Sequence, residues 1–206
     1  MNEVTLDGKT ARIKGELPKT GSVAPDFLLT ATDLSDMRLS DFEGSRIIMN
    51  IFSSLETSVC AESVRRFNEM ANGLDNTKVL CISRDLPFAH ERFNNKEGID
   101  SVISLSELRD TSFGDEYGIR ILDGPFAGLL ARSVVVLDEK MRVIHTQVVP
   151  EIGEEPDYEA AVNAAASGSI ETVSDEFCTT APDSEHARLD DDQSCDEGRS
   201  GRGINQ

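Results

Sequence analysis

The stretch "NIFSSLETSVCAESVRRFNEM", residues 50–70, places one thiol, Cys60, where an apolar run gives way to a helical pattern, with Thr57 three residues before it. If the helix begins near Ser58, Thr57 reads as its N-cap and Cys60 falls in the first turn. Unpaired backbone N–H groups and the positive end of the helix dipole favour an anion there, so the position suits a thiolate, the nucleophilic form of cysteine. Thr57 lies on the same side. Its hydroxyl is expected to donate to the sulfur or to a bound oxygen while its lone pairs accept from the helix. A buried cysteine that only fills space fits the position as well, and position alone does not choose between the two.

The elements that hold this pair follow in chain order. "VTL" and "ARIK" flank Asp7-Gly8, a turn dipeptide, and predict an N-terminal β-hairpin. "APDFLLTAT" starts a strand, "LSDFEG" a short helical turn, and "RIIMNIFSS" has the continuous apolar character of a parallel strand buried on both faces. Val64, Phe67, Ala71 and Leu74 then recur at helical spacing, followed by the strand "KVLCIS", the helix "PFAHERFNN" and the strand "SVISL". A short helix near "SFGDEYG", a loop "DGPFAGLL", two strands "RSVVVLD" and "RVIHTQVV" around Glu139-Lys140, and a helix "DYEAAVNAAA" complete the pattern. The expectation is an α/β fold: a central mixed sheet flanked by helices, with an antiparallel hairpin at one side.

Residues 1–166 form one domain on this reading, large enough to bury a core without disulfide staples. Residues 167–206, rich in Ser, Asp, Glu and Gly, are expected to be an acidic, disordered tail. A net charge of −18 argues against capture of nucleic acid or an anionic membrane, which carry the same sign. The start has no leader-like apolar core, and no run approaches the ~18 apolar residues of a membrane span, so a cytoplasmic protein is expected. The four cysteines, Cys60, Cys81, Cys178 and Cys195, include no Cys-x-x-Cys pair, which fits neither a zinc site nor a disulfide framework. His90, His145 and His186 are scattered singly, the run Asp190–Asp192 reads as solvated tail, and "DGPFAGLL" lacks the Lys-Ser/Thr of a phosphate loop. No metal and no cofactor are expected.

"SSLETSVC" resembles the peroxiredoxin pattern Pro-x-x-x-Thr-x-x-Cys, and "DLSD", "CAESVRRFNEMANGLDNTKVLCIS", "DLPFAHERF", "DGPFAGLLARSVVVLDE" and "EPDYEAA" are similar, in the same order, to segments of bacterial thiol peroxidases, the atypical two-cysteine peroxiredoxin family. The resemblance spans roughly residues 1–166. It implies a thioredoxin-like fold and a peroxidase that reduces hydrogen peroxide and organic hydroperoxides to water and alcohols through a cysteine sulfenic acid. It also implies a homodimer; thioredoxin or another external thiol is the expected reductant. Cys60 matches the nucleophile, Thr57 the family's threonine, and Arg132, in "LLARSVVV", the arginine that faces the thiolate from a neighbouring strand. Those types suit the reaction: a thiolate attacks the O–O bond, and guanidinium N–H groups stabilise charge on the leaving oxygen.

Three positions depart from the pattern. Ser53 stands where proline is usual, giving a freer backbone and an expectation of altered reactivity. Glu56 replaces aspartate, and a carboxylate close to a thiolate would oppose its ionisation. Asn94 occupies the usual position of the resolving cysteine, so the usual internal disulfide cannot form, and resolution is expected from an external thiol, with the tail thiols Cys178 and then Cys195 as the alternatives. Cys81 reads as a core residue. These departures leave a second reading, a redox sensor or catalytically degenerate peroxiredoxin acting through partner binding; a thioredoxin-type reductase lacks its second thiol after Cys60.

Overall fold

A computed structural model describes residues 3–168. The N-terminal hairpin is present: β1 (Glu3–Leu6) pairs antiparallel with β2 (Lys9–Arg12), and the turn needs positive φ at Asp7 and Gly8 (50° and 73°), which short polar residues and glycine tolerate. The main sheet has seven strands: β3 (Leu28–Ala31), β4 (Asp36–Arg38), β5 (Arg46–Ile51), β6 (Thr77–Ser83), β7 (Ile103–Ser106), β8 (Ser133–Leu137) and β9 (Val143–Val148). Their spatial order is β4-β3-β7-β6-β5-β8-β9. The β5–β6 and β6–β7 pairs are parallel and the others antiparallel, so the sheet is mixed, as expected. β4 is an addition to the expected elements: its three residues gain strand form by pairing with β3.

Alternation along the central strands builds two cores. Ile47, Met49 and Ile51 of β5, Leu80 and Ile82 of β6, and Val135 and Leu137 of β8 face one side, with Phe113 and Tyr117. Ile48, Val79, Cys81, Val134 and Val136 face the other. That second face is covered by α1 (Ser58–Ala71) through Cys60, Val64 and Phe67 and by α4 (Tyr158–Ser167) through Ala161, Ala164 and Ala165, with Phe93 of α2 (Pro87–Glu97) against its margin. Pro87 opens α2, where a missing N–H costs nothing, and α3 (Ser112–Glu116) supplies Phe113 to the first face. Asp157 caps α4 by accepting from the Ala160 amide at 2.9 Å.

Arg46, at the start of β5, donates to the carbonyls of Ala165, Ala166 and Asp75, tying the end of α4 to the turn after α1. β1 is tied to a distant segment: the Thr5 amide donates to the Pro150 carbonyl at 2.7 Å, and the Ile152 amide to the Thr5 carbonyl at 2.8 Å. No helix among the described residues is long and apolar enough to cross a membrane. α4 ends at Ser167, and residues 169–206 of the segment expected to be a tail, with Cys178 and Cys195, lie outside the described residues.

Candidate active site

β5 ends at Ile51, and a loop leads from Phe52 to Thr57, from which α1 starts. In the antiparallel β5–β8 pair, Ile51 lies opposite Ser133, so this loop and the residue just before β8, Arg132, emerge at the same end of the sheet. Cys60 and Arg132 are each only 1% exposed, and Arg132 Nη2 donates to Cys60 Sγ at 3.2 Å. Nε and Nη2 of the same guanidinium also donate to the Ile152 carbonyl, at 3.2 and 3.1 Å. Its Nη1 is buried with no partner among the described residues. Nor does Arg132 meet a carboxylate among them; Cys60 sulfur and a carbonyl are its polar contacts. An arginine that sequence alone reads as a solvated strand-end charge is thus buried against the thiol. A cation out of water is costly without a counter-charge, and a thiolate at Cys60 would supply one.

Thr57 occupies the N-cap position with extended backbone (φ −96°, ψ 139°), but no helix amide donates to its side chain. Its hydroxyl donates instead to the Ser54 carbonyl at 3.1 Å, which corrects the expectation of a capping lone pair and leaves the oxygen able to accept. Glu56 also departs from expectation. It turns outward, 73% exposed, and pairs with Arg92 at 2.9 Å rather than lying against the sulfur. Ser53 is buried and donates to the Leu130 carbonyl at 2.9 Å, so a hydroxyl anchors the loop where a proline ring would have stiffened it. Asn94 faces β7, its amide donating to Ser104 Oγ at 3.1 Å. Cys81 is buried on β6, as expected; burial pushes its thiol up to about 12, against the opposing contact from the Asn50 amide.

The Redoxin family matches residues 19–162. The chain belongs to that family. A thiol peroxidase of Mycobacterium bovis is 49% identical to this redoxin over 164 residues, covering 80% of this chain and 98% of that one. A peroxiredoxin-like protein of Aquifex aeolicus superposes with a TM-score of 0.77 at 32% identity, covering 82% of this chain and 98% of its own. A thiol peroxidase of Chromobacterium violaceum gives 0.75 at 19% identity, with the same coverage, a likeness of fold alone. The redoxin is therefore a thioredoxin-like peroxiredoxin, and the expected fold is borne out.

Sequence reasoning missed the group that holds the cysteine loop from the other side. Asp85, just past β6, accepts from Ser54 Oγ and from the Leu55 amide, both at 2.7 Å. It also accepts from Ser83 Oγ at 2.8 Å, and Ser83 Oγ lies 3.0 Å from His90 Nε2 on α2. Because the single Ser83 proton goes to Asp85, His90 is assigned the Nε2–H tautomer, donating to Ser83. Its place follows from the topology: Asp85 follows the carboxyl end of β6, parallel and adjacent to β5, whose own carboxyl end opens the loop.

Burial of His90 lowers its pKa from 6.5 to about 4, against a smaller upward pull from Asp85. Below pH 6.5 the unfolded chain takes up a proton at this residue that the folded protein does not accept until about pH 4. Stability contributed by the neutral ring is thus complete above pH 6.5 and falls by about 3 kcal/mol as the pH drops across that window. Urea unfolding at pH 7 and pH 4.5 should show a steeper loss for the wild type than for His90→Gln; equal losses would mean that His90 does not carry the effect.

Proposed function

We propose that this peroxiredoxin is a thiol-dependent peroxidase in which Cys60 attacks hydrogen peroxide and organic hydroperoxides, Arg132 supplies the cation and Thr57 a hydroxyl acceptor, leaving a sulfenic acid and releasing water or an alcohol. The observation that carries this reading is the 3.2 Å contact between two buried groups, the Arg132 guanidinium and the Cys60 sulfur. The unpartnered Nη1 gives the site a spare buried donor for a peroxide oxygen, and the Thr57 oxygen, its proton committed to Ser54, accepts from the hydroperoxide O–H.

Resolution falls to an external thiol, of the thioredoxin type or smaller. Asn94 supports this by occupying the usual resolving position with a side chain that bonds Ser104, and Cys81 by its burial. A groove of about 330 Å³, lined by Leu55, Glu56, Thr57 and Ser58 of the loop and α1 and by Arg92 and Phe93 of α2, offers such a thiol an approach. Residues 1–166 act in this reading as the catalytic domain and 167–206 as an appended acidic tail. Work as a homodimer in the cytoplasm fits the family, and the exposed Leu86 and Phe88 at the start of α2 provide apolar surface for a subunit contact.

Peroxide consumption with thioredoxin, and then with glutathione, should persist when Cys178 and Cys195 are both replaced by serine. An internal disulfide in the oxidised full chain, seen by mass spectrometry and lost in that double variant together with turnover, would assign resolution to the tail instead.

A further inference from the structure

We infer that Glu107, buried at the carboxyl end of β7, is a positioning residue for peroxide attack: through Arg84 and Arg120 it fixes the chain segment that delivers Arg132 to the Cys60 sulfur. This rests on the role given to Arg132 above. The Glu107 side chain is 0% exposed and lies within a cluster of charges made with Arg84, Arg120 and Asp115. Arg120 meets it with a fork, Nη2 to Oε1 at 2.6 Å and Nη1 to Oε2 at 3.2 Å, and Arg84 Nε lies 3.4 Å from Oε2. The Gly114 amide donates to Oε1 at 2.8 Å. Burial raises the pKa of the carboxyl, but each of these contacts is a donor and a proton there would have no acceptor, so the group is held as the anion.

Such a cluster does little for stability that an apolar core would not do, since taking the charges out of water offsets most of their attraction. What it supplies is direction. Both guanidiniums that grip Glu107 also donate to one backbone oxygen, the Gly128 carbonyl, Arg84 through Nη1 at 2.5 Å and Arg120 through Nη1 at 3.2 Å. Arg120 has no donor to spare for any other arrangement: its remaining N–H groups go to Asp115, at 2.6 Å from Nε, and to the Thr111 carbonyl. Glu107 is itself fixed to the sheet. It directly follows β7, and its amide donates to the Ser83 carbonyl at the end of β6, at 2.9 Å. The sheet thus holds Gly128 through one carboxylate and two arginines.

Gly128 stands four residues before Arg132. Between them the chain runs beside residues 119–121: the Ile121 amide donates to the Leu129 carbonyl and the Ala131 amide to the Ile119 carbonyl, both at 2.9 Å. Arg120 lies in the middle of that neighbouring segment with its backbone bridged to Leu130, so one residue grips the approach to Arg132 with both its main chain and its guanidinium. The fit is close. At Gly114, which donates to Glu107, an added Cβ would come within 2.5 Å of Leu130 Cδ2 and 2.8 Å of Arg120 Nη2. A change at Glu107 is therefore passed to Leu130 and on to Arg132 rather than absorbed. With the carboxylate neutralised, two cations aimed at one carbonyl repel each other and turn to water, and Gly128 is released.

Glu107→Gln keeps the shape and removes the charge. Stopped-flow oxidation by hydrogen peroxide should slow by roughly tenfold, a fraction of the 10²-fold that a displacement of about 1 Å at a reacting group can cost. The deciding measurement makes the same change in Arg132→Met. There the loss should shrink to less than about twofold, because the group being positioned is absent, whereas a cluster with a general structural role would slow both backgrounds equally. Arg84→Met, at a side chain 35% exposed, removes one donor to Gly128 and leaves the Glu107–Arg120 pair. It should slow oxidation by about threefold, the usual worth of one hydrogen bond, with the same dependence on Arg132, and it serves if Glu107→Gln does not fold. Unchanged oxidation in a folded variant, or equal losses in both backgrounds, overturns the inference. Failure of the underlying reading looks different: Arg132→Met alone would then react at the wild-type rate.

Discussion

Cys60→Ser is expected to bring peroxide consumption down to the uncatalysed rate, while Cys81→Ser stays near wild type. A serine hydroxyl at the start of α1 would keep the shape and the Arg132 contact, but it is not a nucleophile at neutral pH without a general base to take its proton, and no histidine or carboxylate hydrogen-bonds the Cys60 sulfur among the described residues. Cys81 has the reverse character. It lies within the sheet among apolar side chains, with the Asn50 amide donating to its sulfur, and burial pushes its thiol up to about 12, so at physiological pH it stays protonated and unreactive. The expected cost of Cys81→Ser is confined to stability, about 1 kcal/mol for placing a hydroxyl in an apolar layer. Single-turnover oxidation followed by stopped flow separates the two thiols; equal rates in both variants, or a fast phase that survives in Cys60→Ser, would remove Cys60 from the reaction.

Arg132→Met is the second large effect: peroxide attack should slow by roughly 10² to 10³-fold, the usual consequence of deleting one donor aimed at developing negative charge. Methionine is shorter than arginine but flexible and apolar, so it keeps the packing of the side chain's stem while removing the charge and the Nη donors. Because the guanidinium is buried without a carboxylate, its loss relieves a desolvation cost that offsets the two bonds lost at the Ile152 carbonyl, and thermal stability should change little. A variant that melts normally and reacts slowly identifies Arg132 as part of the chemistry. One that melts normally and reacts at the wild-type rate leaves it a packing role only.

The strand–loop–helix that carries Cys60 was legible because its signals are local: a continuous apolar run, a capping residue, then helical spacing. The hairpin at Asp7-Gly8 and the helix beginning at Pro87 were legible for the same reason. Arg132 was not, and needed a family resemblance to be noticed, since its burial depends on β8 lying beside β5, a contact spanning 72 residues of chain. Local rules also misplaced single side chains. Thr57 has the right type and position for a helix cap, yet the Ser54 carbonyl, three residues back in the loop, takes its proton and no helix amide turns to it. Glu56 was read as close to the sulfur because it is close in sequence, but the helix start directs it outward to Arg92. Asp85 escaped notice because a lone aspartate after a strand has no pattern; its meaning lies in the parallel pairing that brings two strand ends together.

The tie between β1 and the segment around Pro150 gives the beginning of the chain a stake in the reaction. The Thr5 carbonyl receives the amide of Ile152, and the carbonyl of that same Ile152 receives the Arg132 guanidinium. A residue near the start therefore stands two hydrogen bonds from the cation at the sulfur. For anyone shortening or fusing this protein, the N-terminal ribbon is not a dispensable flap: removing it frees the segment that aims the arginine, so a tag placed before Glu3 asks less of the enzyme than a deletion that reaches Thr5.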